Sequence, residues 1–347
     1  MDKLKVGIVG TGWVSGEYIK AFGQNPNAKI IAICGTSHDK AQAKADEYGL
    51  SDVQSFDDYN TFLTKSGVDI VAILTPNYLH AEQAIKAANA KKHIVIEKPL
   101  ATNWLDMRRM QEAVHKNGVK TVVGFVLRFN PLFDTAKELV RNGTVGNPFY
   151  AEFDYMHAIT PSYNCYDWSR RSETGGSILQ VGGCHAVDGL RWFMQKEAKK
   201  VVALSGRYRD DFEQDTTIVF LVEYEDGSIA KVCGSYDNVS PYIFNMKLFG
   251  DKGTIVNDKL WSTNTFPGQE DWIRIPTTTP DSGDVVTHPF PQLVDQFIDS
   301  ILNDIPCIID IDEAMKTFEI IEAADRSAAA GGEPISLPLT SGDFDEV

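Results

Sequence analysis

The chain has 347 residues, 43% of them hydrophobic and 23% charged, with a formal net charge of −15. That composition is ordinary for a globular chain, excludes a fibrous or wholly disordered class, and at this length predicts two domains. A surface this acidic excludes nucleic-acid phosphate backbones and anionic membranes as general partners, while still allowing one small anionic cofactor in a local pocket. The five cysteines, Cys34, Cys165, Cys184, Cys233 and Cys307, are scattered without a C-x-x-C spacing. This argues against a disulfide framework or a zinc site and for a cytoplasmic location. No signal-peptide pattern precedes the first strand, and no apolar run approaches the roughly 20 residues of a membrane span.

The first predicted element is a short apolar strand, Lys3 to Val9, running into Gly10-Thr11-Gly12-Trp13-Val14-Ser15 and then a helix to about Phe22. Gly10 permits a tight turn, Gly12 lets the backbone approach a pyrophosphate, and Ser15 is small enough for close helix–strand packing. The helix start offers free N–H groups to phosphates. A plain structural turn is the bland alternative. The second strand, Lys29 to Cys34, leads into Gly35-Thr36-Ser37-His38-Asp39-Lys40. The acid that usually holds an NAD ribose, roughly 20 residues after the glycines, is absent there. Hydroxyls and a lysine replace it, so NADP is favoured, with Ser37 and Lys40 as phosphate contacts. NAD remains possible, with Asp39 as ribose partner or merely as a helix cap.

A helix to Tyr48 and Gly49, a strand near Val53 and a helix from Tyr59 to Lys65 follow. Next come a buried strand, Asp69 to Leu74, the turn Thr75-Pro76-Asn77 and a helix from Leu79 to Ala90. His93 to Ile96 reads as a buried parallel strand that ends at Glu97-Lys98-Pro99, because Pro99 cannot donate a ladder bond and biases Lys98 toward extended backbone. Ligands of open α/β sheets bind outside the carboxyl ends of strands, so Lys98 is placed to act on one, a surface lysine being the alternative. A helix from Trp104 to Lys116 and a strand from Lys120 to Phe125 complete a doubly wound pattern with a boundary near Gly124.

The texture then changes. After a helix from Pro131 to Arg141, alternating runs appear at 149–157, 200–208, 216–224, 228–236 and 243–249, with Asp226-Gly227 as a hairpin signal. Residues 125–347 therefore read as an α+β domain with a largely antiparallel sheet. Within it, Trp168 to Ser177 precedes a helix-like stretch carrying His185 and Asp188, three apart and hence on one face. Asp188 there could orient the imidazole or raise its pKa; a plain capped histidine is the alternative. The ligand count is short for a metal.

The whole chain resembles the oxidoreductases grouped with glucose–fructose oxidoreductase, inositol dehydrogenase and the rhizopine-catabolism protein, the Gfo/Idh/MocA family. The markers are the Gly10-Thr11-Gly12 loop, Thr75-Pro76-Asn77 with His80, Glu97-Lys98-Pro99, and the Gly-Gly-Ser helix with His185 and Asp188. Leu248-Phe249-Gly250, Lys252-Gly253-Thr254, the Ala323–Ser327 helix and Ile335-Ser336-Leu337-Pro338 extend the likeness to the second half. The resemblance implies a Rossmann domain followed by an open-faced α+β domain, and dimers or tetramers built through the open sheet. It implies Lys98 as catalytic lysine and His185 as helix histidine, with Asn77 and Glu97 lining the nicotinamide end. Many polyol-oxidising members carry an aspartate four residues before the histidine; this chain has Val181, which leaves the identity of the base open.

The reaction so implied is hydride transfer at a secondary alcohol or ketone of a sugar or cyclic polyol, with His185 as base and Lys98 stabilising alkoxide charge. Candidate substrate residues are Trp168, Arg170, Arg128, His157 and Tyr236, each with an equally plain structural alternative. Two other classes remain: a glycoside-cleaving enzyme with retained NAD, and a non-catalytic cofactor sensor.

Overall fold

A computed structural model of the chain describes residues 2–280 and 288–340. Two compact units emerge: residues 1–124 with 289–315, and residues 125–288 with 316–347.

The first unit alternates β1 (Leu4–Val9), α1 (Trp13–Gln24), β2 (Ala28–Cys34), α2 (His38–Glu47), β3 (Gln54–Phe56), α3 (Tyr59–Lys65) and β4 (Ile70–Ile73). It continues with α4 (His80–Asn89), β5 (His93–Ile96), α5 (Trp104–Asn117) and β6 (Thr121–Val123). The strands pair in parallel in the order β3-β2-β1-β4-β5-β6. β4 is buried at every position and β5 at all but its first, which is why both read as continuous apolar runs. The strand order reverses direction between β1 and β4, and ligands of such sheets bind at that switch point, off the carboxyl ends.

The second unit comprises α6 (Pro131–Arg141), β7 (Pro148–Met156), short helices α7 (Tyr166–Ser169) and α8 (Ser172–Gly175), and α9 (Cys184–Met194). Then come β8 (Ala198–Gly206), β9 (Thr217–Tyr224), β10 (Ile229–Ser235), β11 (Ile243–Gly250), β12 (Thr254–Val256), β13 (Lys259–Trp261) and β14 (Ile273–Arg274). Helix α10 (Phe290–Leu302), helix α11 (Ile311–Ala329) and β15 (Ile335–Ser336) end the described chain. The sheet runs β14-β13-β12-β11-β7-β10-β9-β8-β15, antiparallel except for β7 against β10. One face packs on α9, whose residues from Cys184 to Leu190 are all buried.

The sequence reading ends the first domain near Gly124, whereas the chain returns to the first unit with α10 and the segment after it. The reason is local chemistry. Phe290 sets its ring edge-on to Tyr18, and Asn25 donates to Asp295. β6 is an edge strand with an amide to satisfy, and Val123 N–H donates to the Ile309 carbonyl at 2.9 Å. Strands β12 to β15 have only two or three residues each, too short for an alternating pattern to reveal.

Candidate active site

The glycine loop closes against β4. Gly10 has φ +105°, and a Cβ there would lie 2.6 Å from the Leu74 carbonyl oxygen, so only glycine fits. Gly12 is the N-cap of α1, makes no side-chain cap, and faces open space where a Cβ would point. The first turn of α1 contains no acid, so its N–H groups and positive dipole end stay available to a phosphate. Thr11 and Val14 are half-buried and Trp13 is exposed on the loop.

At the end of β2, Ser37 caps α2: its Oγ accepts the Lys40 N–H at 3.2 Å, leaving its own hydroxyl hydrogen to donate elsewhere. Asp39 sits in the first helical turn, so the cap assigned to it belongs to Ser37. The Lys40 side chain is exposed.

The turns after β4 and β5 hold the next group. Thr75 Oγ1 donates to Gln83 Oε1 at 2.6 Å. Asn77 is 5% exposed, and its Nδ2 has no hydrogen-bond partner among the described residues. A buried amide donor in that condition calls for a bound acceptor. His80 is fully buried; its Nδ1 lies 2.7 Å from the Pro99 oxygen and its Nε2 2.8 Å from the Thr75 oxygen. It therefore does not reach a cofactor, which corrects its assignment as a contact. Burial depresses its pKa, and the Lys98 charge adds to this. Glu97 is also turned inward: Oε1 accepts from Tyr18 at 2.8 Å and Oε2 from the Lys98 N–H at 3.0 Å. Burial raises its pKa, and a Cβ on Gly124 would meet its carboxylate at 2.7 Å. Glu97 thus braces the backbone of Lys98 instead of lining a ligand. Lys98 itself is half-buried, two residues past β5, where the proline break predicts it.

In the second unit, a π-helical turn, Leu179–Gly183, leads into α9 and carries Val181, and such turns gather at functional sites. His185 is 9% exposed, with the Tyr155 ring stacked at 6.5 Å and the Phe125 ring edge-on at 6.1 Å. Asp188 does not serve as its orienting carboxylate. Arg128 Nε donates to Asp188 Oδ2 at 2.8 Å, Arg128 Nη2 to Oδ1 at 2.5 Å, and Thr317 Oγ1 to Oδ1 at 3.1 Å. Arg128 is 2% exposed and also lies 4.8 Å over the Trp192 ring. This buried pair removes both Arg128 and Asp188 from the substrate and catalytic assignments: neither charge can leave the other without stranding it in the core. Tyr236 is likewise excluded from the substrate wall, being 1% exposed and packed on Phe212.

His157 remains accessible. Its Nδ1 is 3.0 Å from the Tyr155 hydroxyl and its Nε2 2.9 Å from the Tyr163 hydroxyl, with Tyr242 edge-on at 5.4 Å. Tyr155, Tyr163 and Tyr242 were not singled out from the sequence. Tyr155 and His157 lie two apart on one strand and so share a face, which was the available signal. Gly182 makes room for this group, since a Cβ there would meet the Tyr155 ring at 2.6 Å. Trp168 and Arg170 are half-buried on α7 and just after it; the Arg170 guanidinium lies 5.5 Å over Tyr166, with Asp167 at 4.0 Å.

Residues 4–125 match the family described as "Oxidoreductase family, NAD-binding Rossmann fold", and residues 133–256 match the "GFO/IDH/MocA C-terminal domain". The chain belongs to the Gfo/Idh/MocA family. Among Gfo/Idh/MocA relatives, it is 28% identical over 276 residues to the uncharacterized oxidoreductase YrbE of Bacillus subtilis (strain 168), covering 78% of each chain. It is 26% identical over 344 residues to myo-inositol 2-dehydrogenase of Thermotoga maritima, covering 98% of this chain and 94% of that one. In fold it is similar to the WlbA dehydrogenase of Bordetella pertussis, solved with NADH and UDP-GlcNAcA. The TM-score is 0.85 at 24% identity, over 98% of this chain and 99% of that one. These likenesses agree with the expected family, with the Rossmann fold and with the second, mostly antiparallel sheet. Among the described residues no helix is long and apolar enough to cross a membrane, and no cluster of three or more His, Cys, Asp or Glu is set to hold a metal.

Proposed function

We propose that this oxidoreductase transfers hydride at a secondary alcohol, or the matching ketone, of a sugar or cyclic polyol. The observation that carries the reading is the pairing of a phosphate-ready glycine loop with Asn77, whose buried Nδ2 waits for an acceptor at the same edge of the sheet. Gly10, Thr11, Gly12, Trp13 and Val14 would hold the pyrophosphate through backbone amides. Thr75, Pro76 and Asn77 would meet the nicotinamide end. When bound, the nicotinamide supplies or accepts the hydride. Lys98, as an ammonium, stabilises developing alkoxide charge on the substrate oxygen. His185 takes the hydroxyl proton in oxidation and returns it in reduction, a role that suits an imidazole. Asp188 is held by Arg128, and the Tyr155 and Phe125 rings flank His185. His157, Trp168 and Arg170 are the substrate contacts that the structure leaves accessible.

The cofactor we favour is NADP. The turn after β2 offers the Ser37 hydroxyl and the exposed Lys40 to a 2′-phosphate. WlbA holds NADH, so NAD is the competing outcome. The scattered cysteines fit a reducing cytoplasm. We also propose a homodimer or homotetramer through the open sheet, where Leu204, Val219 and Leu221 are exposed side by side on β8 and β9.

The test is a titration with NADH and NADPH, followed by a panel of polyols and sugars with the preferred oxidised cofactor. Tight NADPH binding with turnover of a polyol or sugar is expected. Preference for NADH would move the ribose contact to Asp39. Glycoside cleavage without net absorbance change would replace the dehydrogenase reading.

A further inference from the structure

The turns after β4 and β5 are separate in sequence, yet one side chain touches both. His80 opens α4, is fully buried, and lies 2.8 Å from the Thr75 carbonyl oxygen and 2.7 Å from the Pro99 carbonyl oxygen. Thr75 is two residues from Asn77, and Pro99 follows Lys98 directly. Each turn has a second brace of its own. Gln83 accepts from Thr75 Oγ1 and its carbonyl accepts from Tyr59 at 2.7 Å; Glu97 accepts from the Lys98 N–H. Those braces act within one turn, whereas His80 joins the two.

We propose that His80 is the positioning residue of the cofactor site, a ring that locks the Thr75-Pro76-Asn77 turn to the Lys98-Pro99 turn and so fixes where the Asn77 amide and the Lys98 ammonium present themselves. This rests on the reading of Asn77 as a contact to the nicotinamide end. His80 never touches the ligand. A neutral imidazole carries one N–H and donates to one of the two carbonyls at a time; protonated, the ring donates to both. A displacement of about 1 Å at such a group is enough to weaken a ligand contact strongly.

The test compares affinities for NADH and NADPH, read by tryptophan fluorescence, with melting temperature in the same preparations. His80→Phe keeps ring volume and removes both nitrogens; His80→Ala is the second variant should the first not fold; His80→Gln restores an amide donor. Loss of affinity of about tenfold is expected in the Phe or Ala variant, the scale of one buried hydrogen bond, with partial recovery in the Gln variant. Because His80 acts through Asn77, the H80F/N77A double variant should bind no more weakly than the weaker single variant. Wild-type affinity in H80F despite a lowered melting temperature would make His80 a core residue only and overturn the proposal. Additive losses would overturn it as well. Wild-type affinity in N77A would instead overturn the site reading on which it rests.

Discussion

Around the carboxyl ends of β4 and β5, side chains are held by backbone atoms: His80 by two carbonyls, Glu97 by the Lys98 amide. Around α9, side chain holds side chain: Arg128 grips Asp188, the Tyr155 hydroxyl meets His157, and the Tyr155 ring faces His185. The first kind of site is written into short motifs, because a turn and its proline set most of the geometry. The second is assembled from residues far apart in the chain, and its stability depends on each pair remaining whole.

The sharpest way to test the first region is Lys98→Met. Turnover should fall by about 100- to 1,000-fold or more, the scale of losing one preorganised charge donor, while cofactor affinity stays near wild type. Retained turnover would remove Lys98 from the chemistry. For the second region, Asp188→Asn leaves the Arg128 guanidinium buried without its counter-charge, and chemical denaturation should show a loss of about 3–5 kcal/mol. The double change Arg128→Met with Asp188→Leu should cost less than that single change; the reverse order would mean that the pair does more than balance charge. A smaller effect is expected from Gly182→Ala, whose Cβ has no room beside Tyr155; overpacking there should cost about 1–3 kcal/mol and displace the ring that faces His185.

The pH response of the second unit gives a further comparison. Burial pushes the Asp325 carboxyl up to about 7, against a Ser177 hydrogen bond that pulls the other way. The unfolded chain has an ordinary Asp value of about 4, so the folded state holds this proton more tightly. Its contribution to stability is full below about pH 4 and is lost as pH rises through 7. Melting curves of Asp325→Asn should therefore lack part of the decline that wild type shows across that window; identical declines would place the titration elsewhere. The smallest effect is expected at Ser37→Ala, where losing the cap of α2 should cost about 1 kcal/mol. If Ser37 also meets a 2′-phosphate, NADPH affinity will drop while NADH affinity holds.

Much of the first unit was legible in the sequence because each strand is a short apolar run closed by a turn residue. The strand His93–Ile96 and the helix Tyr59–Lys65 fall where pattern and punctuation place them. What a side chain touches was less legible. Arg128 and Asp188 are 60 residues apart, and nothing local distinguishes a buried arginine from one facing a ligand. His80 stood out as part of a motif with Asn77, yet the motif alone does not tell a contact from a brace. The return of the chain to the first unit was hidden for a similar reason: the partners of Phe290 and Ile309 lie more than a hundred residues earlier.

That return has a consequence for how the protein is made. The sixth strand receives its last backbone partner from Ile309, and α1 packs against α10, so the first unit contains pieces separated by the whole central stretch of the second. A ribosome delivers chain from the amino end at about 5–20 residues per second, so residues 1–124 wait on the order of ten seconds for residues 289–315 to appear. During that interval the edge of β6 and the apolar side of α1 stand uncovered. A nascent chain halted before α10 should therefore be held by chaperones or cut by proteases, and a fragment ending at residue 124 should need residues 289–315 supplied alongside it to become compact.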